Sequence, residues 1–248
     1  MGKRKFITKK PIEEKIRHGT SVREDGPMGV LRTNDDVFIH NQKRFALIGM
    51  GIEPAKTVTA NLLNENKAVI VSESHSGTIV PDSDGLITQT PNLALRILTQ
   101  DCVPVFIYDE KKTTIGLIHC GWRGIKTGIT ENTLEQIRRL KIKMTDLKIV
   151  MGPSIKQCCY EVDGEAADFF STYYRSCIEK KGEKARLSLQ KVIKEQLTLS
   201  GVLAENIHIN SDCTFCAKDV FGNYKYFSWR RDGKTGNTHA SVIIIFRY

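Results

Sequence analysis

Two side chains that can bind a metal, Cys102 and His119, stand at the outer ends of two apolar runs, 103–108 and 114–119. The four polar residues 109–112 separate the runs, a pattern that is typical of a β-hairpin with a four-residue loop. The strands of such a hairpin bring Cys102 and His119 to the same end. A thiolate and an imidazole placed together can bind zinc, or act as a nucleophile and its base.

The register of this hairpin decides how close the two side chains come. If the loop closes symmetrically, Tyr108 pairs with Thr113, and Cys102 then lies directly opposite His119. Directly opposed residues of an antiparallel pair share a face, with Cβ atoms about 4.5–5.5 Å apart, so both can bind one metal ion. The alternative is that Cys102 is a small buried apolar residue and His119 a hydrogen-bonded histidine at a strand end.

A third metal ligand is expected at His75, in the small polar loop SESHSG that follows a predicted strand. Two His and one Cys leave a fourth position open, which is the ligand count of a catalytic zinc site rather than a closed structural one. The alternative is that His75 is an exposed loop residue.

The sequence HCGWRG at 119–124 places two glycines around Trp122 and Arg123, just before a predicted helix. A turn of this kind presents free backbone N–H groups, and a guanidinium adds donors suited to phosphate or carboxylate. We therefore expect Arg123 to bind an anionic substrate and to act in catalysis. The alternative is a strand-to-helix turn with Trp122 in the core and Arg123 in a surface ion pair.

Three further charged residues are candidates for the site. Asp101 precedes Cys102 and either transfers a proton in catalysis or accepts a hydrogen bond from a metal-binding imidazole. Arg230 and Arg231 precede a glycine-containing turn and a final apolar strand, and they either bind substrate or flank the turn. We take Asp101 as catalytic and both arginines as substrate-binding.

Four other cysteines have no assigned role. Cys158 and Cys159 are adjacent, and Cys213 and Cys216 form a single CxxC. These residues either pack in the core, form a redox pair, or combine into a second zinc site.

Strand-like and helix-like segments are mixed along the chain, which indicates a mixed fold. Apolar runs rich in β-branched residues predict strands at 67–72, 103–108, 114–119, 147–152, 206–210 and 241–246. Apolar residues at steps of three to five predict helices at 125–140, 169–177 and 189–197. No repeat or linker divides the chain, so one domain is expected.

The 248 residues carry a formal net charge of +9, and residues 1–17 have an excess of five positive charges. We expect 1–17 to be a basic N-terminal arm and 18–248 to be a single catalytic domain. No helix-turn-helix or finger pattern follows the arm, so nucleic acid is not an expected partner. Seven cysteines, no signal-peptide pattern and no membrane-length apolar run favour a soluble protein of the reducing cytoplasm.

With these residues identified, the sequence resembles the YfiH family, also called laccase-domain or polyphenol-oxidase-like proteins. The matching stretches are DCVPVFIYD (101–109), GLIHCGWRG (116–124), GPSIKQCCYEV (152–162), CT (213–214) and FSWRRDGKTG (227–236), with weaker matches at 41–52, 73–77 and 84–88. The resemblance implies a single α/β (α+β) sandwich of mixed β-sheets with flanking helices.

The resemblance also implies a zinc site formed by His75, Cys102 and His119; the hairpin argument selects the last two independently. The implied activity is phosphorolysis of adenosine, inosine and methylthioadenosine to the free base and (methylthio)ribose 1-phosphate, with adenosine deamination as a second activity. Nucleoside and phosphate are thus the expected partners. Glu73 stands where the family commonly has Gln, and Thr235-Gly236-Asn237 replaces the family's TGR. These departures bear on substrate contacts.

Besides a non-catalytic basic nucleic-acid binder, whose binding would weaken steeply with salt, two other classes of function remain open. One is a copper-dependent polyphenol oxidase, because two His and one Cys are also the trigonal ligands of a blue-copper centre. The chain has too few histidines for a mononuclear and a trinuclear copper centre together: His18, His40, His75, His119, His208 and His239. The other is a cysteine hydrolase or amidase, as in peptidoglycan editing, with Cys102 as nucleophile and His119 as base. Metal content separates these classes, because a metal-bound thiolate is not free to attack.

Overall fold

The computed structural model describes residues 16–29, 36–109, 111, 113–181, 184–233 and 235–246. The strands in these parts of the chain are β1 Ile16–Thr20, β2 Thr57–Ala60, β3 Ala68–Ile70, β4 Ile79–Val80, β5 Gly85–Thr88, β6 Ala94–Thr99, β7 Val103–Asp109, β8 Ile115–Cys120, β9 Leu147–Met151, β10 Glu161–Val162, β11 Ile178–Lys181, β12 Lys184–Leu187, β13 Ile207–Ile209 and β14 His239–Ile245. The α-helices are α1 Asp36–Arg44, α2 Trp122–Thr127, α3 Ile129–Arg139, α4 Gly164–Tyr173, α5 Leu189–Leu199 and α6 Trp229–Asp232.

The strands form three sheets. A five-stranded sheet has the order β1-β14-β6-β2-β4, a six-stranded sheet has the order β13-β9-β7-β8-β5-β3, and a small sheet has the order β10-β12-β11. The two large sheets mix parallel and antiparallel pairs; β2 runs parallel to β4 and β6, whereas β7 runs antiparallel to β8 and β9. This confirms the mixed α/β sandwich expected for the chain.

The central strand β7 is buried along its whole length because both faces of its sheet are covered. Phe106 belongs to a core cluster with Leu95 of β6 and Ile243 of β14, which fills the space between the two large sheets. Ile107, the next residue, belongs to a second cluster with Ile137 of α3 on the other face. This is the alternation that a strand imposes, and each such side chain contributes roughly 1.5–3 kcal/mol through burial.

The predicted helix at 125–140 is divided into α2 and α3. Gly128 lies between them with φ of 92°, a left-handed conformation that ends one helix and begins the next. The helix predicted at 189–197 is α5; the Ser188 side chain accepts a hydrogen bond from the Lys191 N–H at its start.

The predicted β7–β8 hairpin is present, but its register was wrong by two residues. Tyr108 pairs with Ile115 rather than with Thr113. The physical reason is Asp109, whose buried carboxylate accepts hydrogen bonds from the backbone N–H groups of Thr113 (2.8 Å) and Thr114 (2.6 Å). These bonds make Asp109 the last residue of β7, so the turn begins one residue later than predicted.

The shift places Pro104, not Cys102, opposite His119. Because side chains alternate with a period of two, a two-residue shift keeps Cys102 and His119 on the same face, as diagonal rather than direct neighbours. The prediction that the two side chains meet therefore survives an error in register.

The N-terminal boundary differs slightly from the expected one. Ile16 and Arg17, assigned to the basic arm, already belong to β1 and pair with Ile245 and Ile244 of β14. Residues 1–15 lie outside the described residues. None of the helices in the described parts of the chain is long and apolar enough to cross a membrane.

Candidate active site

A cleft of about 550 Å³ opens at the ends of β2, β6 and β8, a volume suited to a small molecule. Residues that follow β2 and β6, the start of α2 and the start of α6 form its walls. The lining residues are Leu62, Asn64, Leu98, Thr99, Gln100, Asp101, Cys102, His119, Gly121, Trp122, Arg123, Ile155, Tyr160, Leu189, Trp229 and Arg230. The cleft thus contains five of the seven residues that the sequence analysis assigned to the site.

His119 is buried near the end of β8 and makes two side-chain contacts. Its Nδ1 lies 2.9 Å from Oδ1 of Asp84, and its ring also hydrogen-bonds the side chain of Cys102. Burial alone would lower the pKa of this imidazole, but the nearby Cys102 sulfur and the Asp84 carboxylate outweigh burial and raise the pKa of His119 to about 10. The arrangement Asp84–His119–Cys102 is a continuous chain of polar contacts that ends in the cleft.

Asp84 was missed by the sequence analysis. It lies just before β5, and its carboxylate accepts hydrogen bonds from the backbone N–H groups of Leu63 (3.1 Å), Asn64 (2.9 Å) and Glu65 (2.9 Å). Burial favours the neutral carboxyl group, yet the hydrogen bonds from His119 and the backbone keep the pKa of Asp84 below its usual range. Asp84 thereby holds both the His119 ring and the loop that follows β2.

Gly121 marks the point where three polar groups converge. A β-carbon placed on Gly121 would lie 3.2 Å from the Cys102 Sγ, 3.2 Å from the Asn64 Oδ1 and 3.4 Å from the His119 Cε1. The third polar side chain beside Cys102 and His119 is therefore Asn64, which the sequence analysis did not select.

The structure does not bring His75 to Cys102 and His119. The segment 75–77 lies beside the residues that precede β2, because β4 and β2 run parallel and a β-carbon on Gly77 would lie 3.3 Å from the Ala55 carbonyl oxygen. The cleft lies at the other end of β2. Among the described residues, the metal-binding side chains whose ligand atoms converge are Cys158, Cys159, Cys213 and Cys216, not the predicted His-Cys-His set.

Asp101 is buried at the cleft wall with φ of 72°, and its carboxylate is fully engaged. One oxygen accepts a hydrogen bond from the Thr214 hydroxyl (2.5 Å), and the other accepts from the Ser228 hydroxyl (2.9 Å) and the Arg230 N–H (2.8 Å). Asp101 therefore connects the loop before Cys102 to two distant turns. These contacts favour positioning over proton transfer, and its predicted catalytic role stays a prediction.

The three predicted arginines have different surroundings. Arg123 is exposed at the start of α2, with its guanidinium 4.4 Å from the Trp122 ring centre, and Arg230 donates one hydrogen bond to the Glu161 carbonyl (2.6 Å). Both line the cleft. Arg231 is not among the lining residues, because its guanidinium donates to the carbonyls of Thr214, Phe215 and Tyr226 and to the Asp232 carboxylate.

The cleft also contains an unpaired donor that the sequence analysis missed. The Nε2 of Gln100 is buried without a hydrogen-bond partner among the described residues, although Gln100 lines the cleft. A buried amide without a partner costs free energy, so a ligand acceptor is the expected occupant of this position. Trp122, Tyr160 and Trp229 add aromatic surface to the same cleft.

Comparison with known proteins agrees with this fold. Residues 28–245 match the family model described as multi-copper polyphenol oxidoreductase laccase. A purine nucleoside phosphorylase of Clostridium acetobutylicum is 34% identical over 186 residues, covering 73% of this chain and 75% of the relative. A purine nucleoside phosphorylase of Homo sapiens is 27% identical over 258 residues, covering 98% of this chain and 59% of the human protein.

Two crystal structures share the architecture. Bacillus licheniformis YfiH superposes with a TM-score of 0.84 at 28% identity, covering 93% of this chain and 92% of that chain. YlmD from Geobacillus stearothermophilus gives a TM-score of 0.86 at 24% identity, covering 96% and 94%. The expected resemblance is confirmed, and the chain belongs to the laccase-like polyphenol oxidoreductase family that includes YfiH.

Proposed function

We propose that this chain catalyses phosphorolysis of purine nucleosides, releasing the free base and ribose 1-phosphate from adenosine or inosine and methylthioribose 1-phosphate from methylthioadenosine. The observation that carries the proposal is one cleft that combines two guanidinium groups, aromatic walls and an unpaired amide donor. Relatives that carry the name purine nucleoside phosphorylase support the same class of activity.

Phosphate binding is assigned to Arg123 and Arg230. Guanidinium groups present planar pairs of donors that match phosphate oxygens. Arg123 is exposed, stacks on Trp122 and lines the cleft, so its donors are accessible to a ligand. Arg230 uses Nη1 for the Glu161 carbonyl, and its backbone N–H is held by Asp101. Asp101 thus positions the chain that carries one of the two phosphate-binding groups.

Purine binding is assigned to Gln100 and the aromatic side chains Trp122 and Trp229. The Gln100 amide donates to an acceptor of the purine ring, and the indoles cover its faces. This donor gains importance during reaction, because the leaving base carries negative charge and a charged acceptor strengthens a hydrogen bond.

The reaction requires correct placement above all. A phosphate oxygen forms a bond to C1′ of the ribose while the bond from C1′ to the purine nitrogen breaks, and that electron pair leaves with the base. Arg123 and Arg230 hold the attacking phosphate, and Gln100 stabilises the departing purine. Placing both reactants in one cleft supplies much of the rate enhancement.

The donor set fits the expected zinc ion only in part. Cys102 and His119 are ligand types that zinc accepts, but His75 is at the far end of β2 and the neighbouring third group is the Asn64 amide. The proposed steps therefore rest on the side chains of the cleft. Metal binding by Cys102 and His119, and adenosine deamination, stay predictions.

The proposal is tested by incubating the protein with adenosine, inosine or methylthioadenosine, with and without phosphate, and separating the products chromatographically. We expect free base only when phosphate is present. Gln100→Leu should raise the KM for nucleoside roughly tenfold, as the loss of one hydrogen bond predicts. Gln89→Leu, whose amide donates to Thr114 outside the cleft lining, is the matched control. Equal effects of both substitutions would contradict the assignment of Gln100.

A second candidate is a cysteine hydrolase or amidase. The observation that favours it is the contact series Cys102–His119–Asp84, which has the order of nucleophile, base and orienting carboxylate. In this case metal-stripped protein should hydrolyse an ester or amide, and iodoacetamide should inactivate it by alkylating Cys102. Activity that survives alkylation of Cys102 would exclude the hydrolase.

A further inference from the structure

Four cysteines outside the cleft converge on one point. Cys158 and Cys159 lie in the turn that follows β9, and Cys213 and Cys216 lie in the turn that follows β13. All four sulfur atoms lie within 4.8 Å of one another, and the four side chains are free thiols. Cys158 and Cys216 are exposed, so packing in the core does not account for the group.

Their spacing is close to that of a metal tetrathiolate. Four sulfurs at about 2.3 Å from a tetrahedral zinc ion lie about 3.8 Å from one another. The Cys158 and Cys216 sulfurs are 4.0 Å apart. The two turns are fixed to each other by backbone pairing of Ser154 with Cys213 and by the hydrogen bond from the Thr214 N–H to the Ser154 carbonyl (3.2 Å). Only small movements of the side chains would complete the site.

Backbone donors already surround one of the sulfurs. The Lys156 N–H donates to the Cys213 sulfur at 3.4 Å, and the N–H groups of Phe215 and Cys216 donate to it as well. Such donors stabilise the thiolate, which is the form of cysteine that binds metals.

A buried amine lies beside the cluster. The Lys156 Nζ has no hydrogen-bond partner among the described residues, and it interacts electrostatically with Cys213, Asp212 and Cys158. Four thiolates around a divalent cation carry a net charge of about −2, because the ligands bind as thiolates. An ammonium at this position would offset part of that charge.

We propose that Cys158, Cys159, Cys213 and Cys216 bind one zinc ion in a closed tetrathiolate site that stabilises the fold. Each thiol gives up its proton to solvent as it binds. Four protein ligands leave no open position, so the site is structural rather than catalytic. It is separate from the candidate active site.

The position of this site connects it to the cleft. Thr214 lies between Cys213 and Cys216, and its hydroxyl donates to Asp101 at 2.5 Å. Asp101 in turn precedes Cys102 at the cleft wall. A metal that fixes the turn of Thr214 therefore also fixes the loop that carries Cys102.

The test compares zinc content per chain in the wild-type protein and in three variants. We expect one tightly bound equivalent that persists in Cys102→Ser, is lost in Cys158→Ser/Cys216→Ser, and persists in Cys177→Ser, a buried cysteine outside the cluster. Cobalt(II) added to the metal-stripped Cys102→Ser protein should give the intense visible absorption of a tetrathiolate. Zinc content that is unchanged by Cys158→Ser/Cys216→Ser would overturn the proposal.

A second measurement uses the unmodified protein, so its result does not depend on whether the variants fold. Alkylation followed by mass spectrometry should show these four cysteines protected with zinc bound and reactive after chelation. Equal reactivity in both states would overturn the site, as would a disulfide among the four in freshly purified protein. Bound iron in place of zinc would overturn the choice of metal.

Discussion

The Nδ1 of His119 lies 2.9 Å from Oδ1 of Asp84, and the same imidazole hydrogen-bonds the side chain of Cys102. A carboxylate held at one ring nitrogen fixes the orientation of an imidazole, so Asp84 positions the His119 ring beside the cysteine. The same carboxylate accepts three backbone N–H groups from the loop that carries Asn64. One buried aspartate therefore sets the geometry of this wall of the cleft.

Asp84→Asn should reduce kcat/KM roughly 10- to 100-fold, because the amide no longer fixes His119 and the loop of Asn64, which together form one wall of the cleft. Asp82→Asn is the matched control, since Asp82 is exposed two residues away. Steady-state kinetics across a pH series should show an altered pH profile for Asp84→Asn alone. Equal activity of the two variants would contradict the positioning role.

Substitutions of Arg230 and Arg231 should have different effects, the first on phosphate binding and the second on the unfolding free energy. Arg230→Ala should raise the KM for phosphate roughly tenfold or more, as expected for the loss of a charged hydrogen bond, with little change in unfolding free energy. Arg231→Ala should lower the unfolding free energy by about 2 kcal/mol, because the carbonyl of Phe215 loses its guanidinium donor and Asp232 keeps only Arg23 of its two arginine partners. Urea unfolding and phosphate kinetics on both variants check this, and reversed effects would contradict the assignment.

Gly121→Ala should impair the site without unfolding the protein. Gly121 has φ of −82°, which alanine adopts freely, but the added carbon would crowd Cys102 and Asn64. Displacement of these groups should lower kcat/KM roughly tenfold. Gly19→Ala on β1, where the new carbon meets only the flexible Met50 side chain, is the control and should keep full activity.

Stability should fall in mild acid because the half-buried His18 and the buried His239 are held in the neutral form. Burial lowers the pKa of His18 and of His239 to about 4, whereas the unfolded value is 6.5. The unfolded chain therefore binds more protons between pH 6.5 and 4, and stability is lost as the pH falls through this window. His18→Gln should reduce the pH slope by about 1.4 kcal/mol per pH unit in that window, measured by urea unfolding. An unchanged slope would contradict the lowered pKa of His18.

Local patterns were sufficient to predict five of the six strands of the six-stranded sheet, all except β5, and the approach of Cys102 to His119. The second prediction holds because strand side chains alternate between two faces, so a register error of two residues leaves Cys102 and His119 on the same face. The position of His75 could not be predicted in this way. It depends on the parallel pairing of β4 with β2, a contact between segments distant in sequence.

Asp84 and Gln100 were missed for a related reason. Each lies beside a strand among other polar residues, so the local sequence does not distinguish it. Asp84 is selected only by its contact with His119, which comes from a distant part of the chain, and Gln100 only by the missing partner of its amide. Both cysteine pairs were visible in the sequence, with a second zinc site as one open alternative, and the fold is what brings the two pairs together.

The most direct test of the central proposal is phosphorus NMR of a reaction containing the protein, adenosine and inorganic phosphate. The account predicts that ribose 1-phosphate appears in equal amount to adenine, and that Arg230→Ala slows both together. Adenine formed without loss of phosphate would indicate hydrolysis, and inosine without adenine would indicate deamination. Either result, or the absence of any product from adenosine, inosine and methylthioadenosine, would contradict the proposed phosphorolysis.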